Sequence, residues 1–235
     1  MDSFRALARS SPWRWMSLHF IHRSHIATEV AGDHLEAWLT RPDGVRVVGG
    51  GGAEIGNSLA SQRPDGRPTG RWRPPVPAYR PDGLVDRRPG DGGWADTMLC
   101  DGLFWGNYYW VAMLDPVELS HDVAVSDLRR DEVAGREAWR ARLVPKKGYE
   151  PCCGGNCCEL LYSEVGLRCD FPNLEDVPEA WRGRGYPEAY DVALDVATGV
   201  VVRCLPINAP QRAPWLENDI LETDADLDEV SAPDD

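Results

Sequence analysis

From His34 to Val48 apolar and polar positions alternate. Leu35, Ala37 and Leu39 fall on one face of an extended segment, and RPDG at 41–44 separates them from a second run, Val45–Val48. A period of two interrupted by Pro and Gly predicts a hairpin, with Pro fixing φ and Gly allowing a positive φ. The same period recurs in the second half of the chain. Trp139, Ala141 and Leu143 point one way while Arg136, Arg140 and Arg142 point the other, which predicts an antiparallel strand solvated on one side and paired with 123–130. Tyr190, Val192, Leu194 and Val196 share a face, the chain turns at Ala197-Thr198-Gly199, and it returns through Val200 to Leu205 as another hairpin. An edge strand is expected near 217–227, followed by an acidic tail that frays at 231–235.

Between these segments the pattern changes. Residues 3–9, FRALARS, predict a short helix, and the aromatic-rich run Trp13–Arg23 is long enough to cross a sheet as a strand. From about 49 to 95 Gly, Pro, Arg and Asp dominate. Such composition supplies no continuous apolar face, so long surface loops with one short helix are expected there. Residues 94–120 are the most apolar and aromatic segment, helical in part, with Asp115 and Pro116 introducing a final turn. This segment should cover the core. No internal repeat is present, and 235 residues of mainly β character predict a single domain over 1–230.

Charge narrows the partners. The chain carries 38 acidic and 25 basic residues, a formal charge of −13, which repels phosphate backbones and anionic headgroups, so nucleic acid is not expected as a partner. No stretch approaches the roughly 18 apolar residues of a membrane span. The N-terminal residues lack the apolar run of a secretory signal, because Arg, His and Ser interrupt it, and this predicts a cytoplasmic protein. In that compartment thiols stay reduced, so the seven cysteines, at 100, 152, 153, 157, 158, 169 and 204, are expected free or metal-bound rather than paired.

The most pointed chemistry lies in PCCGGNCC, residues 151–158. Cys153 and Cys157 have the spacing of half a zinc knuckle, and the Gly pair lets the backbone fold round an ion. Cys152, Cys153, Cys157 and Cys158 together would also take a soft ion such as Cu(I). A tetrahedral site draws on two separated segments, for which Cys100, Cys169 or Cys204 is the natural second source; inert or oxidised thiols are the other reading. His19, His22 and His25 gather loosely on a helix but alternate across a strand, and the strand is preferred. Gly51–Ser58 has Asn57 where a phosphate-binding loop needs Lys, so it reads as a flexible loop. Asp224, Asp226 and Asp228 open like a calcium loop, but Glu229 stands where the turn needs Gly, and a solvated tail is the reading. No nucleophile elbow is present, and nothing positive points to an enzyme.

The RPDG hairpin, the aromatic insert, the strand GREAWRARL and the later YDVALDVATGVVVR, in this order along the chain, resemble the LolA-like lipoprotein-carrier superfamily, including the N-terminal domain of RseB-type regulators and actinobacterial relatives of unassigned role. The resemblance covers about half of the chain. It implies a mainly β (α+β) fold: one curved antiparallel sheet forming an incomplete barrel, with a few helices as a lid over an apolar cavity. It also implies lipid or acyl-chain binding. The leading expectation is therefore a non-catalytic cytoplasmic binding module for an apolar small molecule or acyl chain, its cavity lined by Trp13, Trp15, Phe20, Phe104, Trp105, Tyr108, Tyr109 and Trp110. The alternatives are a zinc or copper protein built on the cysteine cluster, and a protein-interaction scaffold whose cavity is filled by its own side chains.

Overall fold

Helix α1, Asp2–Ser10, forms where apolar residues repeat at helical spacing: Phe4, Leu7 and Ala8 are buried, and Asp2 and Arg9 occupy the first and last turns, where they complement the helix dipole. The computed structural model describes residues 2–25, 34–49, 54–57, 74–90, 101–106, 108–149, 159–173, 175–179, 182–183, 185–210 and 213–225. A 3-10 turn over Ser11–Trp13 follows α1, and strand β1 begins only at Ser17, running to His25. Trp13 thus belongs to the turn rather than to the strand.

The further strands are β2 (Leu35–Thr40), β3 (Gly44–Gly49), β4 (Glu54–Asn57), β5 (Ala78–Tyr79), β6 (Val85–Arg87), β7 (Val123–Val133), β8 (Arg136–Pro145), β9 (Ala189–Asp195), β10 (Val201–Ile207) and β11 (Trp215–Thr223). Nine strands form one open antiparallel sheet in the order β4-β3-β2-β1-β11-β10-β9-β8-β7, while β5 and β6 make a separate ribbon. The fold is mainly β, as the alternation predicts, and the sheet does not close into a barrel.

Register carries one apolar face through this sheet. Phe20 lies opposite Ala37 and Ile220, Cys204 opposite Leu216 and Val192, and Val192 opposite Ala141, all of them buried. The other face is charged. Arg203 lies opposite Glu217 with Nη1 3.4 Å from its carboxylate, Arg23 reaches Asp219 at 2.9 Å, and Arg140 donates to Asp191 and Asp131, each at 2.7 Å. A side-chain period of two is what separates these faces.

Two helices join the buried side: α2, Tyr108–Leu114, and α3, Glu164–Asp170. The Ser11 hydroxyl donates to Leu114 O at 2.6 Å, Val85 N–H donates to the Ser10 hydroxyl at 2.8 Å, and Arg88 donates to the Asp115 carboxylate at 3.0 Å. These bonds tie α1, the β5–β6 ribbon and the end of α2 into one layer.

Several expectations need correction. The C-terminal strand is not an edge; β11 lies between β1 and β10, and the described edges are β4 and β7. Its charged residues face the charged side of the sheet, where Arg203 and Arg23 answer them, so charge did not mark exposure. The region 49–95 holds β4, β5 and β6 and, among the described residues, no helix; Leu84 and Val85 are buried from it. The Gly51–Ser58 loop is interrupted by β4. In the RPDG turn the Arg41–Pro42 peptide is cis, and Gly44 does not take a positive φ. Its need is space: a Cβ there would meet Thr40 O at 3.0 Å. On β8, Ala138 is buried and Trp139 only half-buried, because Ala138 is small enough to be covered by its neighbours. The expected tail at 231–235 lies outside the described residues.

Candidate functional site

Helix α2 is apolar over its whole length, YYWVAML, and Tyr109 through Leu114 are all buried. A short helix apolar all round is an interior element. It delivers Trp110 to the buried face of the sheet, where the indole meets Phe20 at 5.5 Å between ring centroids, His22 edge-on at 5.2 Å and Trp105 at 5.2 Å. Trp105 is half-buried and its neighbour Phe104 is 37% exposed, so the cluster runs from solvent to the sheet.

Beneath Trp110 the apolar face contains a polar chain. His22 and Ser24 of β1 share this face because they are two apart, and Asn218 of β11 lies directly opposite His22. All three are buried, at 3%, 2% and 1% exposure for His22, Ser24 and Asn218. The Asn218 amide nitrogen donates to Val201 O at 2.6 Å, so its Oδ1 is the atom 2.7 Å from His22 Nδ1. An amide oxygen only accepts, hence Nδ1 carries the imidazole proton and Nε2 accepts from the Ser24 hydroxyl at 2.7 Å. Burial is the main reason that the His22 pKa is lowered to about 4, with Arg23 acting in the same direction against the Asn218 hydrogen bond. The order of hydroxyl, imidazole and amide is that of a hydrolytic triad. Both ring nitrogens are committed within the buried face, so the chain fixes the imidazole ring against Trp110.

The sequence-predicted lining residues divide into groups. Phe20, Trp105 and Trp110 are brought together as described, with Phe104 beside them in the chain. Tyr109 is 1% exposed, on α2. Of Tyr108 only the backbone, the first residue of α2, is described. Trp13 and Trp15 hold the corner between α1 and β1: Trp13 Nε1 donates to Pro75 O at 2.8 Å, Trp15 Nε1 donates to the Ser11 hydroxyl at 3.1 Å, and the Arg41 guanidinium lies 3.8 Å over the Trp15 ring. Asn218 was not singled out by sequence reasoning. Its signal is an Asn at an inward position between Leu216 and Ile220.

The predicted metal ligands Cys152, Cys153, Cys157 and Cys158, like Cys100, lie outside the described residues. Among the described residues no group of three or more His, Cys, Asp or Glu side chains could hold a metal ion. His19 stacks on Trp38 on the charged face, 2.8 Å from Glu36, whereas His22 points inward, so the strand reading of HFIHRSH holds. Asp224 caps β1, its Oδ1 accepting from Met16 N–H at 2.6 Å and Ser17 N–H at 3.2 Å, while Asp226 and Asp228 lie outside the described residues. The residues that flank the cysteine segment converge on one buried carboxylate. Glu118 Oε1 accepts from the Tyr149 hydroxyl at 2.7 Å and from Leu160 N–H at 2.8 Å. Burial first, and the Glu118 charge second, push the Tyr149 hydroxyl pKa well up. Cys204 donates its thiol to Leu160 O at 3.3 Å, and Cys169 donates to Tyr149 O at 3.4 Å.

No protein-family model and no curated protein matches the chain. Among solved structures, the crystal structure of MucB is similar at 14% identity and a TM-score of 0.35, covering 99% of this chain and 62% of that one. The crystal structure of LprF from Mycobacterium bovis is similar at 12% identity and a TM-score of 0.38, covering 96% of this chain and 94% of that one. MucB in complex with MucA(peri) is similar at 14% identity and a TM-score of 0.31, covering 99% and 60%. The chain thus spans less than two thirds of the MucB chains it is similar to. Among the described residues no helix is long and apolar enough to cross a membrane. The cytoplasmic expectation is withdrawn: the solved structures to which the chain is similar, one of them a complex with MucA(peri), point away from it. With it falls the argument that the compartment keeps the cysteines reduced.

Proposed function

We propose that the chain is a non-catalytic binding module, one domain built on the nine-stranded sheet, which holds an apolar small molecule or acyl chain between the aromatic cluster and the buried face. The observation that carries this reading is the succession of rings of falling exposure: Phe104 at 37%, Trp105 half-buried, then Trp110 at 3% and Phe20 at 1%. A chain seated along such rings gains about 0.8 kcal/mol for each methylene it buries, without a polar contact. A second reading is favoured by the same burial: Phe20, Tyr109 and Trp110 are 1%, 1% and 3% exposed with the chain's own atoms alone. In that case the interior is filled and the partner is another protein.

Native mass spectra beside denatured spectra test the choice. A heterogeneous, lipid-like mass excess present only in the native state is expected, together with uptake of an apolar fluorescent probe displaced by a long-chain ester. A native mass equal to the bare chain, with no probe uptake, would overturn the binding reading in favour of the filled interior.

A further inference from the structure

Trp110 Nε1 is buried and, among the described residues, has no hydrogen-bond partner. A buried donor left so costs about 1–3 kcal/mol. Its polar neighbours do not relieve it. His22, the ring edge-on to Trp110, has Nδ1 committed to Asn218 and Nε2 to the Ser24 hydroxyl. The Asn218 amide is committed in turn to Val201 O, and its nitrogen lies 3.4 Å from Met113 Sδ. The polar chain thus fixes the imidazole against Trp110 while withholding its lone pair from the indole N–H.

The character of the missing acceptor follows from charge. The rings in contact with Trp110 are Phe20, His22 and Trp105, all uncharged at neutral pH. Arg23, the cation next to His22 in sequence, lies on the other face of the sheet and is paired with Asp219 at 2.9 Å. From these described neighbours a carboxylate would lose its hydration and gain no countercharge, whereas a carbonyl needs one donor and no charge. We propose that Trp110 is the polar anchor of the interior, its Nε1 donating to the carbonyl oxygen of an uncharged ester or amide on an otherwise apolar ligand. The inference rests on the binding reading above and adds to it the chemistry of the ligand's polar end.

The test uses the whole chain and three pyrene-labelled probes of matched length: an alkane, a fatty acid and its methyl ester, titrated by fluorescence at neutral pH. The native chain is expected to bind the ester more tightly than the alkane or the acid. Trp110→Phe should weaken the ester about tenfold more than it weakens the alkane, the worth of one buried hydrogen bond. Equal ester binding by both chains, or a native preference for the acid, overturns the anchor while alkane binding keeps the module intact. Failure of the native chain to bind any probe removes the binding reading, and the anchor with it. Because Trp110→Phe disturbs a packed ring, the native chain is also read directly. Its Trp110 indole N–H resonance should shift on adding the ester and not the alkane, and a resonance that ignores both overturns the proposal.

Discussion

His22 Nδ1 and Asn218 Oδ1 stand 2.7 Å apart across the pairing of β1 with β11, on the face of the sheet that is otherwise apolar. Neither residue belongs on that face alone, since an unpaired buried amide or imidazole costs more than its hydrogen bond returns. Directly opposite one another, with Ser24 and Val201 O taking the remaining polar atoms, they are satisfied. The pair thereby fixes register as well, because a slip of one residue would separate them.

The first prediction concerns pH. His22 titrates near 6.5 when unfolded and at about 4 when folded, so below 6.5 the unfolded chain binds a proton that the folded chain refuses. Stability therefore falls as pH drops through the window from 6.5 to 4, by roughly 3 kcal/mol in total. Urea unfolding at pH 7.5, 5.5 and 4.5 should show this loss. In His22→Leu the curve should flatten across that window whatever its absolute stability; an unchanged slope would remove His22 as the cause. His121, exposed and with its pKa also lowered, mainly by desolvation, is retained in both chains and cancels.

Much of the sheet was legible because half-buried strands repeat with a period of two, as Leu35, Ala37 and Leu39 do opposite Glu36 and Trp38. The position of β11 was not. Leu216 and Ile220 alternate with Glu217 and Asp219, which is equally the pattern of a solvated edge and of a central strand whose charges are answered by Arg203 and Arg23. Alternation reports the faces of a strand and says nothing of its neighbours. The aromatic cluster was legible as composition, but the division that leaves Trp13 and Trp15 at the α1–β1 corner depends on contacts with Pro75, Ser11 and Arg41, distant in sequence or hidden in a turn. Asn218 escaped notice because only the register with His22 gives it a partner.

A second prediction concerns the ion pair that ties α2 to the ribbon. Arg88 and Asp115 are 7% and 1% exposed, and their side chains are hydrogen-bonded at 3.0 Å. Asp115→Ala leaves a guanidinium buried beside a removed carboxylate and should cost about 3–5 kcal/mol. The double replacement Arg88→Met with Asp115→Leu should cost clearly less than the two single changes added, as read from urea midpoints. Additive losses would show that the two groups act independently.

A third prediction separates burial from reactivity. Cys204 is 0% exposed, and burial is the leading reason that its thiol pKa lies well above the ordinary value, with Glu118 and Asp191 adding to it. The thiolate is the nucleophile, so iodoacetamide at pH 8 should leave Cys204 unmodified in the native chain. It should modify the residue once urea unfolds the protein under reducing conditions. Peptide mapping distinguishes Cys204 from the other cysteines, and rapid native alkylation at 204 would contradict its place in the core.

The fourth prediction sets two glycines against each other. Gly199 ends the turn between β9 and β10 at φ +75°, and a Cβ on it would meet Leu7 O of α1 at 2.9 Å and Ser11 Cα at 3.1 Å. Gly135, in the turn between β7 and β8, has nearly the same φ of +78°, yet a Cβ there would meet nothing within 4 Å. Alanine at 135 should cost about 1 kcal/mol, the strain of a left-handed backbone alone. Alanine at 199 carries that strain and also pushes α1 off the turn, for about 2–4 kcal/mol. The difference between Gly135→Ala and Gly199→Ala in urea measures how tightly α1 and Ser11 are seated against the turn. Equal losses would mean that the helix yields freely, and that the layer built by Ser11, Leu114 and Arg88 is looser than its hydrogen bonds imply.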